Sequence, residues 1–255
     1  MSKLISISDV GCVENRWLDL IFIHGLNGDY NKTWHNNSTN FFWPKRISEI
    51  FPDIRVLTYS YDIGITKAST SNTLTIIERA QNTLDLFSVE NIGEVPVGFI
   101  CHSYGGLLAK DVLKLSYESD RHEYKRISEN TLAMFFLATP HQGSVLATWL
   151  NKIGFLLPTH AISDLKKNSS YLRKISQWYI KHASTHPVKT LSFYETKTTK
   201  GAIVVDADSA NIGIPDYPAI PLDEDHISIS KPGNDNSHLF KKVVASISEL
   251  KKKLI

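Results

Sequence analysis

Cysteine is scarce in this 255-residue chain, which has two, Cys12 and Cys101. Two thiols build neither a disulfide framework nor a thiolate metal site, and no histidines and carboxylates stand at a ligand spacing such as H-E-x-x-H. No metal and no cofactor are therefore expected. Charge of one sign is lacking too. The formal net charge is +2 and the basic residues are scattered, apart from Lys251 to Lys253, so a nucleic-acid partner is not expected. No run reaches the ~18 apolar residues that a membrane span needs. Residues Met1 to Gly11 hold no apolar stretch behind a basic segment, as a secretory signal would. A cytoplasmic protein without stable membrane insertion is the expectation. Repeats, low-complexity tracts and linkers are absent as well, which points to one domain over 1–255.

The composition is that of an ordinary globular protein, with 42% hydrophobic and 21% charged residues. Short apolar runs alternate with segments of helical periodicity. Leu18–Ile23, Ile54–Tyr59, Val95–Ile100, Thr131–Ala138, Val188–Tyr194 and Ala202–Val205 read as strands. Trp43–Ile50, Leu74–Phe87, Leu107–Leu115 and Leu239–Leu250 read as helices. This order predicts an α/β fold with a mainly parallel central sheet and helices on both faces. Functional residues of such a sheet gather at the carboxyl ends of its strands.

One strand end carries the strongest chemical signal. In Gly98-Phe99-Ile100-Cys101-His102-Ser103-Tyr104-Gly105-Gly106-Leu107 a hydrophobic strand runs into a serine, two glycines and a helix. A nucleophile elbow needs this arrangement, because it lifts the hydroxyl clear of the sheet. Gly105 fits the G-x-S-x-G pattern, whereas Cys101 stands where that pattern has its first glycine. A serine attacking a carbonyl also needs two N–H donors for the developing oxyanion. Tyr104, after the serine, supplies one candidate. Leu26, in Ile23-His24-Gly25-Leu26 after an earlier strand, supplies the other.

A serine needs a histidine to take its proton and a carboxylate to orient that histidine. His226, in a polar loop after the last strand, fits the chain order Ser…Asp/Glu…His. His102 adjoins Ser103, but strand alternation turns it to the opposite face, which suggests a structural role. Two carboxylates compete as the acid: Glu195 at the end of Val188–Tyr194, and Asp206 after Ala202–Val205. Asp223 and Asp225 lie too close to His226 along the chain to hold its ring. His24, Trp34 and His141 are candidates to border a substrate pocket.

Together, Phe22-Ile23-His24-Gly25-Leu26, Cys101-His102-Ser103-Tyr104-Gly105-Gly106, Leu137-Ala138-Thr139-Pro140-His141-Gln142-Gly143-Ser144, Phe193-Tyr194-Glu195-Thr196 and Asp225-His226 resemble one branch of the α/β-hydrolases. It comprises lipase-like serine esterases, serine-active-site-containing proteins, GPI inositol-deacylase-like proteins and hydrolase domains preceding NACHT-type ATPases. The resemblance implies hydrolysis of small-molecule or lipid esters with Ser103, Glu195 and His226 as the triad. It settles no substrate. Apolar residues between about 145 and 186 are expected to form a small helical cap. Acyl transfer, thioester or amide hydrolysis on the same residues, or a signalling module without turnover, are the alternatives.

Overall fold

The computed structural model describes residues 2–8, 16–61, 74–141, 146–154, 165–214 and 217–254. Its strands are β1 (Lys3–Ser6), β2 (Leu18–Ile23), β3 (His35–Asn36), β4 (Phe41–Phe42), β5 (Ile54–Ser60), β6 (Val97–His102), β7 (Thr131–Leu137), β8 (Lys189–Glu195) and β9 (Ile220–Leu222). Seven of them form one sheet in the order β1-β5-β2-β6-β7-β8-β9. β1 runs antiparallel to β5, and all the other pairs are parallel. The central strands β2 and β6 are buried along their whole length. Continuous apolar runs such as Leu-Asp-Leu-Ile-Phe-Ile follow from that burial on both faces. The one charge in β2, Asp19, is fully buried and accepts a two-pronged bond from Arg55 of β5, at 2.8 and 2.7 Å.

The helices are α1 (Trp43–Ile50), α2 (Ile76–Val89), α3 (Tyr104–Tyr117), α4 (His122–Glu129), α5 (Leu146–Ile153), α6 (Ser169–Thr185), α7 (Ala207–Ala210) and α8 (His238–Leu254). Register decides which face each one covers. Ile21 lies beside Phe99, Phe22 beside Ile100, and Cys101 beside Phe136, so alternate residues build two apolar faces. One face meets α2 through Phe99 on Phe87 and α6 through Phe136 on Tyr179. The other meets α1 through Phe22 on Trp43, and Trp43 in turn meets Phe240 of α8. Each of these fully buried aromatic rings stabilises the fold by roughly 2–3 kcal/mol.

Two expectations change. Ala202–Val205 is not a strand; the sheet ends instead in β9, with Phe193 beside Ile220 and Glu195 beside Leu222. Val204 and Val205 are buried, but their N–H groups go to a side chain rather than to a sheet ladder. The segment about 145–186 also divides. In α6, Leu172, Ile175 and Tyr179 are fully buried and the helix packs on α3 as part of the core. Residues 142–145 and 155–164 lie outside the described residues, as do Gln142, Gly143 and Ser144 of the quoted motif and Cys12.

Candidate active site

Ser103 stands between β6 and α3 with φ 52° and ψ −122°, a left-handed conformation that costs a non-glycine residue roughly 1–3 kcal/mol. The surroundings fix it there. Its N–H donates to Leu137 O at 2.8 Å, and its carbonyl accepts from Gly106 N at 3.1 Å and Thr139 Oγ1 at 2.9 Å. The glycines that follow are required by contact. A Cβ on Gly105 would lie 2.4 Å from Ile23 O, and one on Gly106 2.3 Å from Thr139 Oγ1. Cys101, where the motif has glycine, is fully buried in β6. Burial pushes its thiol pKa up, so it is an inert apolar filler.

His226 follows β9 in a loop, and its Nε2 lies 3.0 Å from Ser103 Oγ. Its Nδ1 lies 3.3 Å from Glu195 Oε2. The other oxygen of that carboxylate accepts the N–H groups of Val204 and Val205 at 2.7 and 2.8 Å. All three side chains are almost fully buried. Hydroxyl, imidazole and carboxylate are thus bonded in series, and such a chain can deprotonate the hydroxyl for attack. Asp206 is not brought to this chain. It caps α7 by accepting from Ser209 N and Oγ, and it pairs with Lys152 on a side chain 45% exposed. Asp225 accepts from Ile227 N and Ser228 N, and Asp223 pairs with Lys197 in solvent.

A cavity of about 330 Å³ opens over the serine, within the range of small-ligand pockets. Its lining includes Leu26, His102, Ser103, Ile153, His226 and Ile227. Tyr104 is the first residue of α3, at the positive end of the helix dipole. Ile153 of α5 brings the segment after β7 into the pocket wall.

His24, Trp34 and His141 do not line this cavity, which corrects the substrate-binding expectation for all three. His24 is buried, stacks on Tyr61 at 4.3 Å, and bonds its Nδ1 to Gly25 O. Burial lowers its pKa to about 4, so it holds the Gly25 loop as a neutral ring. Trp34 is wedged edge-on between Phe22 and Trp43. His141 sits beneath the sheet end, between Lys110 Nζ at 2.8 Å and Ser192 Oγ at 3.2 Å. The two histidines are thus engaged by internal hydrogen-bond partners and Trp34 by aromatic rings, all away from the cavity. His102, by contrast, borders the cavity and touches His226, because the chain leaves the strand at Ser103 and alternation no longer separates the two residues. Thr199 Oγ1, which accepts from His226 N at 2.9 Å, had no signal in the sequence at all. Among the described residues no group of three or more His, Cys, Asp or Glu is placed to hold a metal ion, and no helix is long and apolar enough to cross a membrane.

The seven-stranded, mostly parallel sheet with helices around it, turned sharply at a serine after the central strand, defines the α/β-hydrolase fold. No protein-family model matches the sequence. The chain is similar to Protein SERAC1 of Bos taurus, at 30% identity over 256 residues, covering 91% of this chain and 38% of that protein. Protein SERAC1 of Danio rerio is likewise 30% identical, covering 91% of this chain and 39% of its own length. The chain therefore spans about two fifths of the curated relatives it matches. Among solved structures it resembles a putative lipase from Acinetobacter baumannii, with TM-score 0.56 and 14% identity over 99% of this chain and 92% of the other. It also resembles a structure from a study of carboxylesterases of Nitrososphaera gargenis, with TM-score 0.55 and 12% identity over 100% and 96%.

Proposed function

We propose that this chain is a serine ester hydrolase working through an acyl-enzyme on Ser103. The observation that carries the reading is the unbroken hydrogen-bonded series Ser103–His226–Glu195 facing a cavity. His226 Nε2 takes the Ser103 proton as the oxygen attacks an ester carbonyl. Glu195 holds the Nδ1–H tautomer and stabilises the imidazolium that forms. Its second oxygen is occupied by Val204 and Val205, so the carboxylate stays fixed as charge develops. The N–H groups of Leu26 and Tyr104 receive the oxyanion, an interaction that contributes about 3–4 kcal/mol per donor in enzymes of this kind. His226 then gives its proton to the leaving alcohol, and activates a water that releases the acid. The carboxylesterase and lipase descriptions of the structural neighbours agree with this chemistry, and the apolar residues Leu26, Ile153 and Ile227 suit an acyl chain. One domain, without cofactor, suffices for it.

The test is covalent. The wild-type chain is expected to label with a fluorophosphonate and to hydrolyse p-nitrophenyl esters, while Ser103→Ala does neither. A wild type that neither labels nor turns over short- or long-chain esters would overturn the proposal.

A further inference from the structure

Two consecutive residues of β6 and its turn hold opposite ends of one side chain's residue. Ser103 Oγ meets the ring of His226 at Nε2, and His102 Nε2 meets the main-chain oxygen of the same His226 at 2.7 Å. Building on the hydrolase reading, we propose that His102 is a positioning residue that sets where the His226 imidazole stands relative to Ser103.

The hydrogen-bond chemistry is specific. A carbonyl only accepts, so His102 Nε2 carries the proton and donates. Burial, reinforced by the neighbouring His226 ring, lowers the His102 pKa to about 3, and the ring is a neutral, one-donor group near neutrality. Its other nitrogen borders the Gly25 loop, where a Cβ on Gly25 would lie 3.2 Å from Nδ1. The His102 ring therefore fills the space between the loop that carries Leu26 and the loop that carries His226. It is no second base for the serine, because its donor is committed to the carbonyl and its lone pair faces the Gly25 loop.

The loop is anchored on either side of His226, at Glu224 O by Lys197 N–H and at Ser230 O by Trp43 Nε1–H, and His226 itself has its own hold. Asp225 ties the loop to itself through Ile227 N and Ser228 N, and Ile227 is exposed. The His226 backbone is fastened to the rest of the protein by Thr199 at its N–H and His102 at its carbonyl. Placing clamp and nucleophile on adjacent residues means that one buried strand fixes the distance between Ser103 and its base.

The experiment compares His102→Asn with His102→Gln. Both are polar and neutral, but the Gln amide nitrogen reaches the position of His Nε2 and the Asn nitrogen stops short. His102→Asn is expected to lower kcat on a short p-nitrophenyl ester roughly 10–100-fold with little change in KM, the size of loss that an ångström of misplacement gives. His102→Gln should restore most of that rate. In proton NMR the downfield Nδ1–H signal of His226 shared with Glu195 should weaken in His102→Asn and return in His102→Gln. Circular dichroism and Tm verify that each variant is folded. If His102→Asn keeps full rate and an intact downfield signal, or if folded His102→Gln is as impaired as His102→Asn, the clamp is refuted. If the wild type turns over no ester but the signal follows the Asn and Gln pattern, the hydrolase reading fails and the clamp stands.

Discussion

At the scale of single residues the site turns on which carboxylate reaches His226. Glu195 and Asp206 each follow an apolar run, and nothing local in the chain separates them. Their partners do. Glu195 is buried with one oxygen on the imidazole and the other on two backbone N–H groups, whereas Asp206 is a half-exposed helix cap. Glu195→Gln would turn one amide edge toward a donor on either side, since Val204 N–H, Val205 N–H and His226 Nδ1–H all seek acceptors. Its kcat is expected to fall roughly 10³–10⁴-fold, as when a triad acid is neutralised. Asp206→Asn should stay within about twofold of wild type and lose roughly 1 kcal/mol or less of stability as a weakened cap. Steady-state kinetics and thermal melts on the two variants read both numbers. The placement of Ser103 and His226 was legible in the sequence because an elbow and a terminal loop are local or ordered features. The clamp by His102 and the bond from Thr199 were not, because they join residues 124 and 27 positions apart.

At the scale of elements, the turn from β6 into α3 is where sequence and structure constrain each other most. Gly105 sits against the carbonyls of Ile23 and His24, at the end of a strand buried on both sides. A methyl there meets backbone at both contacts, and neither carbonyl can swing aside without breaking the β2 end from the Gly25 loop. Gly105→Ala is expected to cost about 2–3 kcal/mol, in the range of core overpacking, and to slow fluorophosphonate labelling with it. Gly233→Ala, whose Cβ would approach no atom closer than 3.6 Å, should change Tm by less than a degree or two. Denaturant titration with parallel labelling separates these outcomes. Elements with continuous apolar runs, such as β2, β6 and β7, stood out in the sequence. β9 did not, since Ile220-Pro221-Leu222 is three residues long and carries little periodicity. Ala202–Val205 looked more like a strand, yet its buried valines donate to Glu195, a pairing that hydrophobic pattern cannot encode. α6 was read as cap material because its apolar residues follow a site motif; only its packing on α3 shows that it belongs to the core.

At the scale of the whole molecule, the fold has placed bases where charge is costly, and this sets how its stability depends on pH. Burial lowers His24 to about 4, His102 to about 3, and His141 well below its ordinary value. In the unfolded chain these rings take up protons near pH 6.5. As pH falls from 6.5 toward 4, the unfolded state therefore binds more protons than the native one, and stability drops. Lys110 continues the trend on the alkaline side. It is fully buried in α3 with its Nζ against His141 Nδ1 and over the rings of Phe136 and Tyr179, and desolvation lowers its pKa from 10.5 to about 7. Its penalty is complete below pH 7 and fades as pH rises toward 10.5, a span of roughly 4–5 kcal/mol at most. Asp111, raised to about 7 by burial, opposes these bases between pH 4 and 7, but as one group against three. Calorimetry across pH 4 to 9, below the range where the buried Cys101 thiol would oppose the trend, is thus expected to show Tm falling steeply below pH 6.5, with net proton uptake on unfolding, and still climbing above pH 7. In Lys110→Met the climb above pH 7 should flatten while the acid-side fall remains. A wild-type Tm that is flat from pH 7 to 9, or a Lys110→Met variant with an unchanged alkaline slope, would mean that the amine keeps its proton inside the fold.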